Sequence, residues 1–143
     1  AEELDRRARR LAPDDFGGAL EIGRGELDAE VRRAVAALPA AERRALEAAP
    51  LEVEDVPALE DLTAVDPPLS PSILGLFRGP SEGEPCRPED GPRCRSIVLY
   101  RLNLARFARS RADLAEQVRV TLLHELGHLH GESDDELRAR GLE

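Results

Sequence analysis

All three histidines of this 143-residue chain, His124, His128 and His130, fall close together. The run His124-Glu125-Leu126-Gly127-His128 has the pattern H-E-x-x-H. Residues four apart stand on one helix face, one turn from each other. Two imidazole nitrogens can then meet one Zn²⁺ at about 2.0–2.1 Å. Glu125 is turned roughly 100° around the helix from His124. Its carboxylate cannot easily share the ion, but it can reach a water beside it. Zinc acidifies such a water and a neighbouring carboxylate takes the proton. The predicted chemistry is metal-assisted hydrolysis of a polarised carbonyl, with His124 and His128 as ligands and Glu125 as general base.

Two ligands leave a catalytic zinc site incomplete, since three plus water is usual. Gly131 follows His128 by three residues and lets the chain turn off the helix. Asp134 then occupies the position of the third histidine in H-E-x-x-H-x-x-G-x-x-H sites. An Asp oxygen is an acceptable zinc ligand, so Asp134 is the expected third ligand, with Asp135 as fallback. His130 lies on the opposite side of the helix from His128 and reads as a surface or capping residue. Tyr100, Arg101 and Arg119 are the candidates for stabilising an oxyanion; Arg119 is expected to face away from the metal. H-E-x-x-H also arises by chance, but the clustered histidines and the correctly spaced Gly and Asp favour a real site.

The elements that must carry these residues follow from apolar spacing. Leu27, Val31, Ala34, Val35 and Leu38 mark an amphipathic helix over 26–38, stopped by Pro39. A second helix spans 40–48, up to Pro50. Short strands are predicted at 51–56, 73–77 and 97–100, the last apolar on both faces and therefore central. Residues 57–71 and 79–95, rich in proline, read as loops. Asn103 is the expected N-cap of a short helix through Ser110, and Asp113 the cap of the helix that carries the motif. A last turn of helix is placed at 134–140. Helices, then strands, then helices make an α+β domain with a small sheet. Residues 1–25, charged and punctuated by glycine, are expected to be an N-terminal extension, with a possible short helix at 2–11. The domain proper is assigned to 26–143.

Composition narrows the rest. Hydrophobic residues make up 41% and charged residues 34%, an ordinary globular balance. With three Phe, one Tyr and no Trp, the core must be mostly aliphatic. The net charge of -9 argues against nucleic acid as a partner. No stretch is long and apolar enough to span a membrane, and the N-terminus shows no signal segment, so a cytoplasmic location is expected. Cys86 and Cys94 sit eight apart in the second loop. A short disulfide is geometrically possible, but free thiols are the expectation in a reducing compartment.

Taken together, the chain resembles the minimal zincin-like metallopeptidases of bacteria over about residues 26–143. The resemblance rests on Ile73-Leu74-Gly75-Leu76-Phe77-Arg78-Gly79, on Ile97-Val98-Leu99-Tyr100-Arg101, on the run Val118 to Glu125, and on the acidic Asp134-Asp135-Glu136. It implies a pared-down metzincin-like fold, a short mixed sheet packed on the H-E-x-x-H helix, a Zn²⁺ cofactor and a peptide or protein substrate. It also implies an edge strand, here 73–79, lining the substrate cleft. The chain departs from full metzincins in having no Met for a turn beneath the zinc. Two other functions compete. One is a non-catalytic zinc domain that binds a partner. The other is RNA processing, since the metalloproteins with H-G-x-L-H-L-x-G-x-D-H share His-Leu-x-Gly. Glu125 in place of their Gly, and the acidic charge, favour peptide hydrolysis.

Overall fold

A computed structural model describes residues 20–90 and 94–142. The possible helix at 2–11 lies outside them. The first helix, α1 (Arg24–Ala37), buries Leu27 and Val31 one turn apart, as the apolar spacing requires. Its entry is packed: Ile22 is buried, and the Leu20 amide donates to the Ala105 carbonyl at 2.9 Å. Pro39 ends the run, and α2 (Ala40–Ala48) follows.

Three strands make one mixed sheet in the order β1-β3-β2. β1 (Leu51–Glu54) runs parallel to β3 (Ser96–Tyr100), and β2 (Gly75–Arg78) runs antiparallel to it. Every residue of β3 is buried, which is what a central strand with apolar residues on both faces demands. β2 is an edge strand. Its start is shifted inward from the expected 73.

Ile97 and Leu99 of β3 face the helices. Ile97 packs with Leu38, Leu122, Leu126 and Leu129, and Leu99 with Leu27, Leu104 and Val118. On the opposite face Arg78 holds Glu52 at 3.1 Å, Glu54 at 3.0 Å and Asp61 at 2.7 Å. Asp61 belongs to α3 (Leu59–Thr63), a short helix inside the stretch expected to be loop. Its five residues carry too short an apolar pattern to register as helical periodicity; burial of Leu62 and the Arg78 pair hold it.

Two capping assignments are corrected. α4 (Arg101–Phe107) starts before Asn103, whose buried amide instead donates to the carbonyls of Pro71 at 2.8 Å and Ile73 at 2.7 Å. Asn103 thus ties the approach to β2 onto α4. The long helix α5 (Arg111–Leu129) is capped by Ser110, whose hydroxyl accepts from the Asp113 amide at 3.1 Å. Asp113 is the third helical residue, and its carboxylate accepts from the Arg109 amide at 2.8 Å. α6 (Asp134–Ala139) closes the order, with Ser133 and Glu136 forming a capping box.

Cys86 and Cys94 are joined in a disulfide with Cα atoms 5.9 Å apart, which corrects the free-thiol expectation. Pairing is favoured by what brings the two ends of the loop together. Gly79, at φ 98°, passes so close to the Cys94 carbonyl that a Cβ there would overlap it. Arg95 donates to the Pro80 carbonyl at 2.8 Å and the Ser81 carbonyl at 2.9 Å. Among the described residues, no helix is long and apolar enough to cross a membrane.

Candidate metal centre

α5 places His124 and His128 on one face, as their spacing requires, with ring centroids 4.8 Å apart. Their Nε2 atoms lie 3.2 Å from each other. At the first residue of α6, Asp134 brings Oδ1 to 3.0 Å from His128 Nε2 and 3.5 Å from His124 Nε2. Two atoms that each sit about 2.0–2.1 Å from one tetrahedral zinc are roughly 3.3–3.4 Å apart. The three donors therefore have the mutual spacing of one coordination sphere. Asp135 instead pairs with Arg138 at 3.2 Å.

The far side of each ring fixes its tautomer. His128 Nδ1 lies 3.0 Å from the Glu132 carbonyl, and His124 Nδ1 is hydrogen-bonded to the Leu142 carbonyl. A carbonyl only accepts, so in the neutral ring each Nδ1 carries the hydrogen and each Nε2 presents its lone pair. Two lone pairs and a carboxylate oxygen then converge on one point. Three acceptors so arranged favour a cation among them, and the chemistry of the set suits zinc. Main-chain carbonyls have no signature in residue type, so neither Glu132 nor Leu142 is identifiable from sequence.

Gly131 has φ 90°, a conformation that glycine adopts freely. It turns the chain off α5, and Ser133 restarts it as α6, which brings Asp134 back over the two histidines. The seat of α6 is set at Gly127, where a Cβ would come within 2.2 Å of Leu137 Cδ2. Leu137 is fully buried there.

Glu125 is 6% exposed, although it is charged in most settings. Its carboxylate and the two histidines form a group whose donor atoms all lie within 4.8 Å of one another. Burial pushes its pKa up to about 8, the Asp134 charge adds to this, and a hydrogen bond from the Phe77 main chain opposes it. A dication alongside favours the ionised form. That Phe77 bond reveals how β2 faces the site. The Tyr100 amide donates to the Leu74 carbonyl at 3.0 Å, so in antiparallel alternation residues 75 and 77 turn their main-chain groups away from β3. The Phe77 N–H is one of these outward groups. Gly75 permits the close approach, because a Cβ there would lie 2.6 Å from Thr121 Cγ2 on α5.

His124, His128, Glu125 and Asp134 line a cleft of about 670 Å³ together with Leu76, Phe77 and Ser81. His130 is not in it. Its two nitrogens meet Glu82 at 2.8 Å and Glu42 at 2.9 Å, so it clasps α2 and the 79–95 loop to the end of α5. None of the three oxyanion candidates borders the cleft. Tyr100 is fully buried with its hydroxyl unpartnered, Arg101 binds Asp55 and the Ile22 carbonyl, and Arg119 binds Glu116 on the surface.

A helix with H-E-x-x-H laid against an edge strand of a small mixed sheet is the arrangement of a zincin-type domain. The zincin-like metallopeptidase family model matches residues 46–142, and the chain belongs to that family. No curated protein matches the chain.

Proposed function

We propose that this protein is a zinc-dependent metallopeptidase, with His124, His128 and Asp134 holding the ion and Glu125 handling the proton. The observation that carries the reading is the convergence of two Nε2 lone pairs and Asp134 Oδ1 at 3.0–3.5 Å, with both Nδ1 atoms already committed to carbonyls. Bound there, zinc supplies Lewis acidity, polarising a carbonyl and acidifying water. Glu125 receives a proton at its carboxylate and passes it to the departing amine. Its burial against β2 excludes competing solvent, and the Phe77 N–H orients the carboxylate. With the Phe77 N–H given to Glu125, the outward main-chain groups of Gly75 and the Phe77 carbonyl remain to suit an extended peptide, which edge strands bind by main-chain hydrogen bonds.

The test compares zinc-loaded protein with Glu125→Gln on a diverse peptide mixture, read by mass spectrometry. Parent protein, dialysed against metal-free buffer, is expected to retain about one zinc per chain. Glu125→Gln should keep the metal and lose cleavage by about 10²–10⁴-fold. Full turnover in that variant would remove Glu125 as the base.

A further inference from the structure

The metal-site residues lie on α5 and at the start of α6, yet one of the contacts that shapes them comes from beyond α6. We infer that Leu142 is a positioning residue of the metal centre: its buried side chain anchors the segment after α6, so that its carbonyl accepts from His124 Nδ1 and turns His124 Nε2 toward the metal. The inference rests on the metal-site reading of His124 and needs no hydrolysis.

Three observations converge. His124 Nδ1 is hydrogen-bonded to the Leu142 carbonyl, eighteen residues away in sequence. Leu142 is only 8% exposed, although its neighbour Gly141 is exposed. Its amide donates to the Leu137 carbonyl at 2.9 Å, so the segment folds back on α6. Gly141, at φ 79°, makes that reversal. Leu137 in turn is buried against Gly127, between the two histidines. Two buried leucines, joined by that main-chain bond, therefore set two things. Leu137 places Asp134 through the seat of α6, and Leu142 places the acceptor that fixes the His124 ring.

The two histidines differ in a useful way. His128 takes its acceptor from Glu132, within the turn that follows α5, whereas His124 depends on a residue beyond α6. Loss of Leu142 should thus disturb one ring and spare the other. Partners that orient metal-binding histidines are worth about 10–100-fold in affinity.

The experiment uses metal-free protein with ¹⁵N-labelled histidine and reads the tautomer of each ring by long-range ¹H–¹⁵N correlation above pH 8. Zinc affinity follows from competition with a chromophoric chelator. The parent should show the Nδ1–H form at both His124 and His128. A chain ending at Gly141 should show mixed tautomers at His124, an unchanged His128, and zinc affinity lower by about 10–100-fold. Should that shortened chain melt out, Leu142→Gly in the 143-residue chain, which keeps the carbonyl and loses the anchor, is expected to show the same change, with Leu142→Ile restoring the parent spectrum. An Nε2–H form at His124 in the parent would overturn the inference. So would a folded shortened chain, or a Leu142→Gly protein, with the parent tautomer and zinc affinity within twofold.

Discussion

Gly127→Ala separates the stability of the fold from the geometry of the metal centre. In isolation the change favours a helix interior by about 1 kcal/mol, because alanine restricts the unfolded chain and glycine does not. Here the added Cβ falls 2.2 Å from Leu137 Cδ2, with the next atoms of that side chain at 3.2 and 3.3 Å. Ordinary carbon contacts lie at about 3.5–4.0 Å. Leu137 is fully buried, so its terminal methyl has no open space to swing into, and α6 must move outward by roughly 1.3–1.8 Å instead. Overpacking of this kind costs about 1–3 kcal/mol, so the net change in stability is a loss of about 0–2 kcal/mol. The metal site is far less tolerant, since ligand distances must hold to about 0.2 Å. Asp134 rides on α6, and its displacement should weaken zinc binding by at least tenfold. Chelator competition measures the affinity, and melting of metal-free protein measures the stability. A Gly127→Ala protein that bound zinc within twofold of the parent would refute both the seat of α6 and the assignment of Asp134 as a ligand.

Other expectations follow from single contacts. His130 is held between Glu82 and Glu42; burial works against its charge, but these two hydrogen bonds outweigh it and raise its pKa. Its contribution to stability is therefore fully present below the unfolded value of about 6.5 and is lost as pH rises through the raised folded value. Urea melts at pH 5.5 and 8.5 should show this loss in the parent and its absence in His130→Asn; equal pH dependence in both would dismiss the clasp. Arg78→Met leaves Glu54 and Asp61 without the cation that holds them, and should cost about 1–3 kcal/mol given that the site is only partly buried. Denaturant titration decides, and no loss would mean that solvent already screens the cluster. Replacing Cys86 and Cys94 together by Ser should lower stability by about 2–3 kcal/mol, the entropy of closing so short a loop. Comparable stability would show that Arg95 and Gly79 hold the loop unaided.

Local pattern made the zinc motif legible. The i, i+4 spacing of His124 and His128 needs only a helix, and the apolar spacing of Leu114, Val118, Leu122 and Leu126 supplies one. The same holds for the central strand, where Ile97 to Tyr100 leaves no polar face, and for α1 and α2, which Pro39 and Pro50 delimit. Reading residue types as caps was less successful. Asn103 is a good cap by type, but it is buried inside α4, where the carbonyls of Pro71 and Ile73, brought there by the fold, take its amide. α3 was likewise hidden, because it depends on Arg78, while the disulfide was open to either reading, because the contacts of Gly79 and Arg95 across the loop decide it.

What the amino-acid order made legible alone was the candidate set: two imidazoles a turn apart, a carboxylate beside the first, a glycine to leave the helix, and an aspartate ten residues after His124. The placement of the two imidazoles and of Glu125 follows from helix geometry, which acts over a few residues. Only the tertiary structure decided which nitrogen of each ring faces Asp134, that Glu125 is buried against the Phe77 amide, and that Tyr100, Arg101 and Arg119 lie outside the cleft. Each of these is fixed by a main-chain group or a packing contact brought in from elsewhere in the fold. Every residue has the same carbonyl and amide, so no residue type at Leu142, Glu132 or Phe77 announces the bond it makes.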